Sequence, residues 1–264
     1  MRLIVFFGLF LPVIIAGLSV YTFNINKKVL KILVAFSGAF LISLVFNELI
    51  PHIYSSPALC NIHESTGVET HEHGNNSMHY VIGLLILGGF FIQLILDYLT
   101  KGIEHGHMGH NHELDNNHKH TISLFPVLFG LFLHSFLEGM PLANGLSSLE
   151  LQNRLLTGII IHNIPISIVL VSLMIQNNLT KIKAVIFLTI FSFSAPAGAL
   201  LINIIGAQVL GNADTFFNYI MAVVIGIFLH ISTTILFETD ENHSFNFLKF
   251  VTMIIGAFAA IVHF

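Results

Sequence analysis

Cysteine is nearly absent: Cys60 is the single one in 264 residues. A disulfide framework is therefore excluded, and a thiol-based redox mechanism has no support. Charge is scarce as well. Asp, Glu, Lys and Arg make up 9% of the chain against 55% hydrophobic residues, and the mean hydropathy is +0.84, which excludes the charged surface of a soluble protein. The net charge of −4 is spread over loops, and without a basic stripe nucleic acid is excluded as a partner. The string His-Glu-x-x-His is missing too, and with it the helix on which intramembrane metalloproteases mount their zinc. What is present is a polytopic membrane protein, whose first partner is the lipid bilayer.

Runs of about twenty apolar residues are long enough to cross a hydrocarbon core of about 30 Å. They fall near 3–22, 30–50, 80–100, 122–146, 154–176, 182–209, 215–237 and 246–264. The expectation is an all-α membrane protein, a single transmembrane domain over 1–264 with eight crossing helices. Segment one follows Arg2 as a signal peptide would, but its apolar run exceeds the usual 7–15 residues, and it is read as a retained helix.

An even number of spans puts both termini on one side. Of the ten basic residues, Lys27, Lys28, Lys31, Lys101, Lys119, Lys181, Lys183 and Lys249 fall on one face, and only Arg2 and Arg154 on the other. The positive-inside rule then places both termini outside the cell membrane, in a multi-pass arrangement read as that of a bacterial inner membrane.

Two long loops are rich in histidine. The external loop 51–79 carries His52, His63, His71, His73 and His79 among Glu64, Glu69 and Glu72, and shows no periodicity. Within it Asn75-Asn76-Ser77 fits a glycosylation acceptor, a tripeptide common by chance. The cytoplasmic loop 101–121 carries His105, His107, His110, His112, His118 and His120. Neutral imidazole is a favoured zinc ligand, so this tract reads as a labile metal-binding buffer or sensor; an irregular loop holds no fixed geometry.

The chemistry lies in segments four and five. His134 and Glu138 are four apart, so on a helix both leave the same face one turn apart. His162 follows in the next segment. The link near 147–153 makes the two helices antiparallel neighbours, and Glu138 and His162 each lie about 12 residues from its centre, or about 18 Å along the helix. They share a depth, and His134 sits one turn deeper. Ionisable groups at lipid depth are costly unless they face the interior with a partner or a function.

Two imidazoles and a carboxylate with room for water resemble open, labile zinc sites more than closed structural ones. The alternative is a buried hydrogen-bonded network without metal, a costly way to join two helices when Ser or Asn serves. Pro141 and Pro165 flank the cluster, where broken helical hydrogen bonding suits a cavity lining. The same donors suit iron, manganese, cobalt and cadmium as well as zinc.

Further candidates lie outside this cluster. Asn47 and Glu48, near the external end of segment two, read either as interfacial polar groups or as a funnel gathering cations above the site. In segment three Gly88 and Gly89 suit close helix packing, while Gln93 and Asp97 sit one turn apart, with Asp97 reaching for the headgroups. In segment six Ser194 and Gly198 form a small-xxx-small pair suited to packing against a neighbour. His230 in segment seven is carried as a further ligand candidate, although a lone histidine more often hydrogen-bonds a neighbouring helix.

His134-Ser135-x-x-Glu138-Gly139, followed one helix later by His162-x-x-Pro165, resembles the signature of the ZIP (Zrt/Irt-like) metal transporters. Glu48-Leu49-Ile50-Pro51 stands where that family often has His-Leu-Leu-Pro, and the topology and His-rich loop agree as well. The resemblance implies two inverted three-helix repeats around a central pair, helices 4 and 5. It also implies a homodimer and uptake of divalent metal, chiefly zinc, into the cytoplasm. His134, Glu138 and His162 carry over as primary ligands.

The sequence departs from the family pattern at three positions. Ile166 stands where many members have a metal-bridging Glu, Ser135 where many have Asn, and Asn163 where many have Asp or Glu. A single-metal site is expected, with Ser135 and Asn163 as weak or water-mediated contributors. The mechanism expected is alternating access, a shift of helices 4 and 5 opening the site inward. A metal sensor, an exporter and a membrane enzyme are the rival readings. Exporters with His-rich loops usually have six spans and Asp-rich sites, which are not found here.

Overall fold

A computed structural model of the chain describes residues 3–23, 25–55, 74–100, 124–143, 148–209, 213–237 and 247–263. They are helical almost throughout. In chain order the helices are α1 (Leu3–Ser19), α2 (Lys27–Tyr54), α3 (Gly74–Thr100), α4 (Leu124–Leu142), α5 (Leu149–Gln176), α6 (Lys181–Val209), α7 (Ala213–Phe237) and α8 (Phe247–His263). Six of them, α2 to α7, are long and apolar enough to cross a membrane. The other two, α1 and α8, have 17 residues each, or about 25 Å of helix, somewhat less than a hydrocarbon core of about 30 Å.

Local chemistry sets the helix ends. α2 runs past the expected boundary to Tyr54 by widening into a π-turn at Val45–Leu49. Pro51 follows two residues after it; it has no N–H to donate, and its ring crowds the preceding turn. α5 begins earlier than the apolar run suggests, because the Ser148 side chain accepts from the Leu151 N–H at 3.2 Å and Glu150 sits in the first turn. Both features favour a helix N-terminus. Arg154, read from the sequence as flanking the span, therefore lies inside α5. At the other end of α5 the backbone of Asn178 turns left-handed (φ 57°), a conformation Asn tolerates, and α6 starts at Lys181.

The helices pair in two groups. α4 packs along α6 and α1 along α5 and α6; α3 packs along α7 and α2 along α8 and α7. The groups meet where α2 lies on α5 and α3 on α4. Direct contact between α4 and α5 is sparse, so the two ligand-bearing helices are held mainly by other partners.

Glycine makes the tightest pairs possible. A Cβ at Gly198 would lie 1.9 Å from the Phe136 carbonyl oxygen, and one at Gly139 2.0 Å from that of Ala195. α4 and α6 thus touch backbone to backbone beside the buried polar residues. Gly89 and Gly226 join α3 to α7 in the same reciprocal way. Gly88, its neighbour in sequence, meets nothing within 4 Å.

Large apolar side chains stay exposed along α1, α3 and α8, including Phe7, Ile15, Phe91, Ile95, Ile254 and Phe258. Surfaces of that kind suit lipid rather than water. Inside, the buried apolar residues form two clusters. One includes Leu44, Leu142, Leu155 and Ile159; the other includes Val127, Leu131, Ile166 and Leu170. The polar residues of α4 and α5 fall between them.

Candidate metal centre

Residues 134, 138 and 162 occupy that middle layer. His134 and Glu138 are wholly buried and His162 is 1% exposed. The i, i+4 spacing on α4 brings His134 Nε2 within 3.1 Å of Glu138 Oε1. From α5 His162 approaches edge-on, its ring centroid 5.8 Å from that of His134 at an interplanar angle of 82°. One donor atom from each of the three lies within 4.8 Å of the others. No other cluster of three or more His, Cys, Asp or Glu residues with this spacing occurs among the described residues.

The separation suits one cation. Donors around a tetrahedral zinc stand about 3.3 Å apart, given bonds of about 2.0–2.1 Å. The His134–Glu138 pair is thus already at chelating distance. The remaining closure is at most about 1.5 Å, within reach of side-chain rotation.

Electrostatics points the same way. Glu138 Oε2 and Asn163 Oδ1 are buried with no hydrogen-bond partner among the described residues. A buried carboxylate left in that state is strongly unfavourable. A divalent cation held among these atoms would satisfy Glu138; Asn163, next along α5 from His162, is buried as well. Ser135, also buried, stands beside His134 on α4. Ile166 is buried in the second apolar cluster, so the position at which a second metal would need a carboxylate offers only hydrocarbon. Pro165 lies inside α5, and Pro141 lies in the 3-10 turn Met140–Leu142 that ends α4.

Outside the cluster, several candidates take other places. Glu48 is paired with Arg154 of α5, so the carboxylate read as part of an entrance funnel carries a cationic partner from the protein itself. Arg154 also bonds Glu150 one turn back. Asn47 donates from Nδ2 to the Ser43 carbonyl at 2.9 Å and to its hydroxyl at 3.1 Å. His230 is buried on α7 with its ring 4.9 Å from that of Phe90, and it is not one of the three clustered residues. His105, His107, His110, His112, His118 and His120 lie outside the described residues.

A residue that the sequence marks only by its spacing from Asp97 lies against the cluster. Gln93 of α3 is fully buried, and its Oε1 stands 2.9 Å from His134 Nδ1. The signal available was an amide in mid-span, which at lipid depth has to face the protein interior.

Comparison with known proteins decides the family. The sequence model described as ZIP Zinc transporter matches residues 103–262, well over half of the chain. This chain belongs to the ZIP zinc transporter family. Among its relatives, Zinc transporter ZIP9-A of Xenopus laevis is 23% identical over 236 residues, 76% of each chain. Zinc transporter ZIP9 of Micropogonias undulatus is 26% identical over 168 residues, 57% of this chain and 53% of that one. ZIP proteins are transporters rather than enzymes, which sets aside the membrane-enzyme reading. The chain is a multi-pass membrane protein of divalent metal transport. The relatives are vertebrate, and they lend no support to a bacterial inner membrane.

Proposed function

We propose that the chain takes up zinc into the cytoplasm by alternating access, with His134, Glu138 and His162 binding one ion at a time. The observation that carries this reading is the convergence of three donors, within 4.8 Å, in a layer closed to solvent. An ion seated there cannot enter or leave while apolar clusters close both sides, so the helices around it have to shift. Incomplete ligation by the protein suits a cargo that must also depart. Ser135 and Asn163 contribute weakly or through water, and Ile166 keeps the site mononuclear. Iron, manganese, cobalt and cadmium fit the same donors and compete.

The finer topology belongs to the same reading. The chain forms one transmembrane domain over 1–264, α1 and α8 cross as short spans, both termini are external, and cytoplasmic histidines from His105 to His120 receive the ion. Helix pairing supports two inverted three-helix repeats. Exchanging α1 with α6, α2 with α7, α3 with α8 and α4 with α5 turns the α3–α7 pair into α8–α2 and the α1–α5 pair into α6–α4, all of which are close pairs. The homodimer implied by the family resemblance is tested by mass measurement in nanodiscs.

The deciding experiment uses sealed proteoliposomes with a zinc-sensitive dye inside. Zinc added outside produces an internal signal with the parent chain and none with Glu138→Ala or His162→Ala inserted at equal density. An unchanged signal in both variants would falsify the site. A parent that binds zinc but passes none is a sensor. Protease mapping of the inserted orientation then assigns the direction of flow, and transport only from the loop 101–121 side identifies an exporter.

A further inference from the structure

We infer that Gln93 is a positioning residue for the metal: it selects the tautomer of His134 and so sets how tightly the buried site grips a cation. This rests on the proposed site. The observation is a chain of two contacts, Gln93 Oε1 to His134 Nδ1 at 2.9 Å and His134 Nε2 to Glu138 Oε1 at 3.1 Å. An amide oxygen accepts and does not donate, so the Nδ1 facing it carries the proton. In the neutral ring Nε2 then keeps its lone pair, and that lone pair faces the Glu138 carboxylate. Two acceptors across such a gap repel unless a proton or a cation lies between them. Gln93 thereby turns the His134–Glu138 pair toward a cation.

Placement adds to the effect. Gln93 is fully buried, so water does not compete for His134 Nδ1, and the ring has little freedom to turn. Gln93 rides on α3, which packs chiefly on α7, whereas His134 rides on α4, which packs chiefly on α6. The bond therefore joins the two helix groups beside the site and holds only while α3 and α4 keep this register. Partners of metal-bound histidines typically contribute 10–100-fold in affinity.

The test is cobalt(II) titration of the full chain in detergent, followed by its visible absorption and by competition with a chelator. The variants are Gln93→Met, similar in size without the acceptor; Gln93→Asn, which keeps the amide but withdraws it by one methylene; and Gln93→Glu, which keeps an acceptor in place. All share the same histidine loops, so differences report the buried site. Met and Asn are expected to weaken cobalt binding about 10–100-fold and to alter the absorption band, with Glu within a few-fold of the parent. The apo unfolding temperature of Asn is expected to match the parent, which a purely structural role would lower. Affinity unchanged in both Met and Asn, or lost equally in Glu, overturns the inference. His162→Ala separates the two ideas. If it abolishes the cobalt band while Met and Asn leave affinity intact, only the role of Gln93 falls; if it leaves binding untouched, the site itself falls and the inference with it.

Discussion

Arg154 of α5 forms an ion pair with Glu48 at the π-turn of α2, and so ties together the two groups of helices. Neither side chain is fully buried, so the pair contributes little stability, about 1 kcal/mol or less. Its position gives it more consequence. Any shift of α5 against α2 has to break or re-form it.

Charge reversal tests that consequence. Arg154→Glu alone places a third carboxylate beside Glu48 and Glu150 and is expected to cut zinc uptake at least two-fold. The double exchange Glu48→Arg with Arg154→Glu restores most of the parent rate in proteoliposomes. A double variant no better than the single one shows that the contact has no part in transport.

The buried layer makes opposite predictions for stability with and without metal. Glu138→Gln removes a carboxylate that lacks full hydrogen bonding, so the metal-free protein is expected to unfold at the parent temperature or slightly higher. Zinc is expected to raise the parent's unfolding temperature, by an amount equivalent to about 2.7 kcal/mol at a hundred times Kd. That rise is lost in Glu138→Gln. Thermal unfolding with and without zinc measures both.

Adjacent glycines of α3 are expected to respond differently. A Cβ at Gly89 would meet the Val223 carbonyl oxygen at 2.0 Å, while one at Gly88 meets nothing. Gly89→Ala forces α3 away from α7 and is expected to lower yield and unfolding temperature. Gly88→Ala is neutral, or stabilising by up to about 1 kcal/mol through helix propensity. Gly198→Ala, set against the Phe136 carbonyl of α4, behaves like Gly89→Ala and also reduces zinc uptake, since α4 carries two of the donors.

Metal stoichiometry separates the buried site from the loop. With Ile166 in hydrocarbon rather than a bridging carboxylate, the buried site is expected to take one zinc. Replacing the six histidines from His105 to His120 by Asn is expected to remove the weak binding and leave one tight zinc per chain, measured by elemental analysis after dialysis. Two tight ions in that variant contradict the mononuclear site.

Much of this was legible along the chain because it depends on short-range order. Apolar runs become helices wherever backbone groups have no water to bond, and i, i+4 spacing puts His134 and Glu138 on one face whatever surrounds them. Counting residues from the α4–α5 turn brought His162 to the same depth, because helical rise is constant. The same local rules misjudged α5 at its start: hydropathy begins the span near residue 154, whereas the Ser148 cap begins the helix at Leu149.

Pairing between helices was another matter. Gly88 and Gly89 are indistinguishable in sequence, and only the approach of α7 selects the second. The short link makes α4 and α5 neighbours that meet at His134 and His162, yet most of the packing of α4 is on α6 and that of α5 on α1 and α2, with backbone contact at Gly139 and Gly198 drawing α4 onto α6. Gln93 reaches His134, and Arg154 reaches Glu48, across gaps of 41 and 106 residues. The sequence by itself determined that the chain is apolar and helical and that His134, Glu138 and His162 stand near one depth, through periodicity and rise. Tertiary structure alone decided which polar groups lie against these residues and which pair elsewhere, because that depends on which helix faces the close packing of small residues brings together.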